Sequence, residues 1–373
     1  MRTVASLVLT LAAVSSIAQT PMLPATTARS WLLLDVTANH IIAASNADER
    51  IEPASLTKLM SAYVIFNAIK DGKFSRGQVV PISEKAWRTG GSKMFVDPKK
   101  PVTAEELLHG MIVQSGNDAS VALAEASSGS EDAFALHMNE VGKRLGMKNS
   151  NFVNASGLPD GKHYSTAFDL ALVAAAIIRE FPDFYSIYSI KEYRYNNITQ
   201  ANRNRLLWLD PNVDGVKTGH TEKAGYCLIA SAKRGERRLL SVVIGTPSDA
   251  LRAQEAQTLL NFGFQHYDTV RVHEKDTSIA KVRVWKGMTQ ELSVGMDTSI
   301  LVAIPKGTND KIKAELATEQ PIYAPITKGQ RMGVVKVSYK GRSLGEYPAV
   351  ALESIAPAGF FGRSLDAVKL WMK

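Results

Sequence analysis

Cysteine is nearly absent from this chain of 373 residues. Cys227 stands alone, which excludes any intramolecular disulfide and leaves stability to packing. Its setting, "GYCLIA", reads as a buried strand position. Long apolar runs are also missing: after the first 18 residues no stretch approaches about 20 uninterrupted apolar side chains, so no membrane-spanning helix is expected there. Neither repeats nor low-complexity tracts occur, which removes solenoid and fibrous architectures from consideration. Acidic residues are outnumbered, 36 Asp and Glu against 44 Lys and Arg, for a net charge of +8. A basic surface suits an anionic partner without choosing among acidic lipid, anionic polymer and nucleic acid. No nucleic-acid motif accompanies it, and nucleic-acid binding is not expected.

What is present suffices for two cores, since 45% of residues are hydrophobic. The first 18 residues carry Arg2, an apolar run from Val4 to Val14 and small residues Ser16 and Ala18 before Gln19. This is the pattern of a secretory signal peptide, and the apolar run is short for a bilayer span. Residues 26–264 read as strands, then helices, then strands. "SWLLLDVTANHIIAAS" breaks at a polar turn, helical periods run over 55–70, 103–113, 119–126, 131–145, 166–180 and 250–264, and "GYCLIASAKR" and "RRLLSVVIGT" flank a turn at Gly235. That order predicts an α+β domain whose sheet is assembled from both ends of the segment. Residues 265–357 change to short alternating segments divided by Gly, Pro and charged turns, the pattern of a small all-β domain. Over 358–373 a helical period returns, with Phe361, Leu365, Val368 and Met372 on one face and Arg363, Asp366, Lys369 and Lys373 opposing them. This amphipathic end is expected to lie on an anionic membrane surface.

Chemistry concentrates in three places. In "PASLTKLM", Ser55 and Lys58 stand three apart at a helix start, where i and i+3 share a face. A lysine can take the serine's proton only when neutral, which requires burial or a neighbouring cation; taken alone, the pair reads first as a helix start with Ser55 as its N-cap. A second Ser-x-x-Lys, Ser278 and Lys281, falls in a strand pattern, where i and i+3 point apart. "QSGND" places Ser115 and Asn117 in a polar turn between helices, and "VKTGHT" places Lys217, Thr218 and Gly219 at a strand start. Ser-x-x-Lys, Ser-x-Asn and Lys-Thr-Gly in that order are the signatures of penicillin-recognising serine enzymes.

With "QSGNDASVALAE", "NRNRLLW", "NVDGVKTGHTEKAGY" and the closing "FFGRSLDAVKLWMK" added, the chain resembles over nearly its whole mature length the low-molecular-mass penicillin-binding proteins that are D-alanyl-D-alanine carboxypeptidases. The resemblance implies a transpeptidase/β-lactamase-like catalytic domain, no metal and no cofactor. Its implied substrates are peptidoglycan stem peptides ending in D-Ala-D-Ala, with β-lactams as acylating analogues, and its implied location is the periplasmic face of the bacterial inner membrane. Ser55 would be the nucleophile, Lys58 the acylation base, and Ser115 with Lys217 a second proton path, Lys217 also keeping Lys58 neutral. Asn117 would hold Lys58 and the substrate backbone. The N–H groups of Ser55 and His220 would form the oxyanion hole, and Thr218 and Arg252 would take the terminal carboxylate. Arg203 is implied to be a scaffold ion-pair member, and His163 lies in a loop bordering the site. The stretch "RTGGSKMF" is shorter than in some relatives. A β-lactamase of the common type is disfavoured because no Glu-x-x-Leu-Asn occurs between Asn149 and Asp169. A D,D-endopeptidase would use the same residues, and a non-catalytic wall-binding protein would show a broken motif.

Overall fold

Alternating apolar side chains decide the central sheet. In the computed structural model, which describes residues 22–360 and Asp366, β1 (Ser30–Asp35) and β2 (His40–Ser45) form a hairpin. A short 3-10 turn, Ala54–Thr57, leads into α1 (Lys58–Lys70), followed by α2 (Glu84–Arg88), α3 (Ala104–Val113), α4 (Asn117–Ser128), α5 (Glu131–Arg144), α6 (Ala167–Glu180) and α7 (Pro182–Tyr185). The hairpin of β3 (Glu192–Tyr195) and β4 (Ile198–Ala201) and the single turn α8 (Leu206–Leu209) precede β5 (Val213–Thr221), β6 (Gly225–Arg234) and β7 (Arg237–Thr246), and α9 (Asp249–His266) follows. The sheet order is β2-β1-β7-β6-β5 with every pair antiparallel, so the first hairpin completes a sheet built from the last strands.

Both faces of this sheet are covered. Leu32, Leu34, Leu240 and Val242 pack with α1 and α3–α6, whereas Trp31, Leu33, Leu239 and Val243 pack with Ala256, Leu259 and Leu260 of α9. The division follows the period of two along a strand. Helix α1 is buried without interruption from Lys58 to Phe66, as a central helix must be. Its first residue is therefore carried into the interior, and that residue is Lys58.

From Tyr267 to Ala351 the regular structure is strand apart from one short 3-10 turn: β8 (Tyr267–His273), β9 (Ser278–Trp285), β10 (Glu291–Gly295), β11 (Ile300–Pro305), β12 (Ile312–Thr318), β13 (Ile322–Tyr323), β14 (Arg331–Tyr339) and β15 (Arg342–Ala351). Six of these strands form one sheet in the order β12-β14-β15-β10-β9-β13, and β8 pairs with β11. The two bodies meet at Asp35, which accepts hydrogen bonds from Arg237 Nε at 2.9 Å and Thr269 Oγ1 at 2.5 Å.

Three local expectations are corrected. Ser55 is not a helix cap: it lies inside the 3-10 turn and its side chain makes no capping bond. Asn117 is the first residue of α4 rather than part of the turn, because Gly116 supplies the extended N-cap backbone. Lys217–Gly219 lie well inside β5 rather than at its start, since Val213, Asp214 and Gly215 already belong to the strand, which pairs with β6 through a bulge between Val213 and Gly215. The leader over 1–18 and most of the helix over 358–373 lie outside the described residues. Phe360 and Asp366 are helical, and Asp366 is buried, accepting a hydrogen bond from Lys286 N at 2.7 Å.

Candidate active site

The Ser55 turn is pressed against two segments that approach it at glycines. A Cβ at Gly157, whose φ is +84°, would lie 1.8 Å from Ala54 O, and one at Gly219 would lie 3.1 Å from Pro53 O. Loop 153–163 and strand β5 therefore close on the turn from two sides. Ala54 and Ser115 themselves have φ of +47° and +61°. Each non-glycine residue in that region costs about 1–3 kcal/mol, and such strain is retained where the surroundings over-determine the backbone.

Lys58 is only 1% exposed. Its Nζ lies 2.7 Å from Asn117 Oδ1, 2.7 Å from Ser156 O and 3.1 Å from Ser55 Oγ. Burial pushes its pKa down to about 7, and the positive charge of Arg203 adds to this, opposed by Asp118. A neutral amine has two N–H groups and one lone pair. Asn117 Oδ1 and Ser156 O can only accept, so they take the two N–H groups and leave the lone pair facing the Ser55 hydroxyl. That is the arrangement a proton acceptor for Ser55 requires.

Lys217, also buried, donates from Nζ to Ser115 Oγ at 2.9 Å and Thr218 O at 3.2 Å. Its pKa falls well below the usual lysine range, first through burial and then through the charges of Lys58, Arg203 and Arg252. The repulsion between the two amines is mutual, so a charge on either disfavours a charge on the other. Asp118 favours the charge on Lys58, while the charges acting on Lys217 are all cationic.

Arg252 is 6% exposed, with its Nη1 donating to Gly219 O at 3.1 Å and Cys227 O at 3.4 Å and its Nη2 paired with Asp249. His220 is exposed at the end of β5, against the ring of Tyr226. Thr218 is buried beside Lys217. Arg203 departs from its expected scaffold role: it is exposed and makes no ion pair among the described residues. The anchoring falls to its neighbours, Asn202 Nδ2 donating to Ile190 O and Asn204 Nδ2 to Gly215 O, which turns the intervening arginine outward. His163 is buried, accepts from Val153 N at Nδ1 and therefore donates from Nε2 to Thr57 Oγ1 at 2.8 Å. It ties the loop to the Ser55 turn instead of facing a substrate. The second Ser-x-x-Lys lies in β9, with Lys281 paired to Glu291 at the surface.

The motifs gave no sign of the carbonyl of Ser156 or of what positions it. Glu131, 7% exposed, accepts from Ala155 N at 3.0 Å and pairs with Lys85 at 2.9 Å, while Ser61 Oγ donates to Ala155 O at 2.6 Å. Glu131→Ala leaves the buried Ala155 N–H without a partner, a loss of about 1–3 kcal/mol, and loosens Ser156 O beneath Lys58. Thermal unfolding should fall by several degrees and acylation by penicillin should slow; Glu131→Gln, which keeps an acceptor for Ala155, should recover most of both.

Comparison with known proteins agrees with this geometry. The family described as D-alanyl-D-alanine carboxypeptidase matches residues 17–248, and the penicillin-binding protein 5 C-terminal domain matches residues 267–357. The D-alanyl-D-alanine carboxypeptidase DacC of Escherichia coli is 40% identical over 360 residues, covering 94% of this chain and 90% of the relative. Penicillin-binding protein 5 of Haemophilus influenzae superposes with a TM-score of 0.86 at 39% identity, covering 90% of this chain and all of that one. Penicillin-binding protein D2 of Listeria monocytogenes, solved in an ampicillin-bound form, has a TM-score of 0.60 at 30% identity, covering 66% of this chain and all of that one. The chain belongs to the D-alanyl-D-alanine carboxypeptidase family and is a penicillin-binding serine enzyme of that family.

Proposed function

We propose that the protein removes the terminal D-alanine of peptidoglycan stem pentapeptides through an acyl-enzyme on Ser55, and that β-lactams acylate the same oxygen. The observation that carries this reading is the Lys58 amine, with both N–H groups engaged and Ser55 Oγ 3.1 Å away. Ser55 Oγ attacks the carbonyl carbon of the D-Ala–D-Ala bond as Lys58 takes its proton. The N–H groups of Ser55 and His220 receive the oxyanion, one such donor being worth roughly 3 kcal/mol. Ser115 passes a proton to the departing amine and is resupplied through Lys217, and water then hydrolyses the ester. Thr218, with the cations Arg252 and Arg203 near Lys217, suits a substrate that ends in a carboxylate. Incubation with a stem pentapeptide, followed by mass spectrometry, tests the reading: loss of a single D-alanine is expected. Cleavage only of cross-linked dimers would make the protein an endopeptidase, and no product would make it a binder.

Residues 26–264 are proposed as the catalytic unit, 265–357 as a separate domain and 1–18 as a cleaved export signal, with the mature enzyme on the periplasmic face of the membrane. Supporting the attachment is the sequence of the last helix. Asp366 bonds to the β domain through Lys286 N, and on the wheel Phe361, Leu365, Val368 and Met372 oppose it. Such a face lies in the interface of an anionic bilayer, each basic residue adding about 1 kcal/mol. Deleting 359–373 should move the protein from the membrane pellet to the soluble fraction; retention in the pellet would refute the anchor.

A further inference from the structure

A groove of about 760 Å³ opens between α2, the segment 93–99 and the β3–β4 hairpin, with Asp118 at its floor. Its size is that of a ligand site. Trp87 and Phe95, each 46% exposed, and Ile198, 38% exposed, line it. Bulky apolar side chains gathered at a solvent-facing groove mark a contact surface. The groove is also preformed. Asp118, 1% exposed, accepts from the N–H groups of Met94, Phe95 and Val96 at 2.9, 2.8 and 3.2 Å. That clasp holds Phe95 at a φ of +67°, which bulky residues seldom adopt. Lys93 Nζ ties the segment to Trp87 O at 2.8 Å, and Gln200 Nε2 ties it to β4 at 3.0 Å.

Two features say what this groove would take. The catalytic cleft is lined by cations, whereas the charges here nearly balance, Lys93 and Lys99 against Glu84, Asp97 and the buried Asp118. A neutral polar ligand fits the second setting better than a peptide bearing several carboxylates. The floor of the groove also lies close to the site. Hydrogen bonds of 3.1 and 2.7 Å link Ser55 Oγ through Lys58 to Asn117, and Asp118 follows at about 3.8 Å between Cα atoms. The four residues between a scissile D-Ala–D-Ala bond and the sugar span at most about 14 Å when extended. We infer that the groove binds the glycan to which the stem peptide is attached, seating an N-acetylhexosamine with its C–H face on the rings of Trp87 and Phe95 and its hydroxyl and acetamido groups toward Asp97 and Asn196. Aromatic side chains with polar neighbours supply such an amphipathic contact. The inference rests on the peptidoglycan substrate proposed above.

The test uses the mature enzyme and one pentapeptide in two forms, free and attached to a disaccharide of N-acetylglucosamine and N-acetylmuramic acid. The wild type should show a kcat/KM about tenfold higher on the attached form, the size of one good contact, and Trp87→Ala with Phe95→Ser should bring the ratio to within about twofold. Because the readout is a ratio, loss of overall activity does not mimic it. Peptide-free oligosaccharide of the same sugars should quench tryptophan fluorescence saturably in the wild type and compete with the attached substrate, a measurement that needs no variant. Equal kcat/KM on the two forms, or no saturable quenching, overturns the inference. An equal preference for a glycan-free cross-linked peptide dimer also overturns it, assigning the groove to a second peptide. If neither form releases D-alanine, the proposed reaction fails instead, and oligosaccharide binding alone decides the groove.

Discussion

Ser55→Ala is expected to abolish covalent labelling by a fluorescent penicillin and to cut D-alanine release at least about 10⁴-fold, the scale of removing a nucleophile. The fold should be unaffected. Ser55 caps no helix, and Lys58 keeps its bonds to Asn117 and Ser156. The substitution therefore removes the attacking oxygen with little else. Unfolding temperature within a degree or two of wild type would show that the loss is chemical, and persistent labelling of the variant would sink the assignment.

Lys58→Arg should be nearly as damaging, by about 10²–10⁴-fold in acylation, the usual worth of a positioned base. Arginine keeps a positive charge but cannot be neutral in a protein. The wild-type acylation rate should rise with pH through about 7, where Lys58 loses its proton, and level off above it. Arg203→Gln removes a charge that disfavours protonated Lys58, so the midpoint should move to higher pH. A profile flat from pH 5 to 9 would remove Lys58 as the base. The same shift has a consequence for stability. The unfolded chain holds the lysine proton up to about 10.5 and the folded chain only to about 7. The cost of burying this lysine is thus full below about pH 7 and fades as pH rises toward 10.5, so its removal by Lys58→Met should stabilise most at low pH.

Much of the architecture was legible because apolar periodicity is a local property. The alternation in "SWLLLD" and "RRLLSVVIGT" foretold strands, and the period of 166–180 foretold a helix that forms as Ala167–Glu180. The proposed catalytic residues were legible for a different reason, since three short motifs in a fixed order point to one chemistry. Turn geometry was less readable. Asp214 and Gly215 before Lys217 suggest a turn by composition, yet pairing with β6 made them part of β5. Arg203 shows the same limit: whether an arginine finds an acid depends on neighbours distant in sequence.

From residue order alone came the two-body organisation, the three motifs and the reading of Ser55 and Lys58 as the proposed reactive pair. Only the tertiary structure decided what would make that pair reactive. A lysine is neutral near pH 7 when its ammonium has lost water and gained no carboxylate partner. That condition is met by the burial of α1, by Asn117 arriving from α4 and by the Ser156 carbonyl on a loop that Glu131 and His163 hold in place. The exposed Trp87 and Phe95 likewise became one groove only once Asp118 had folded residues 94–96 over the start of α4. Both outcomes depend on groups brought together across tens of residues, and desolvation and juxtaposition of that kind exist only in the folded chain.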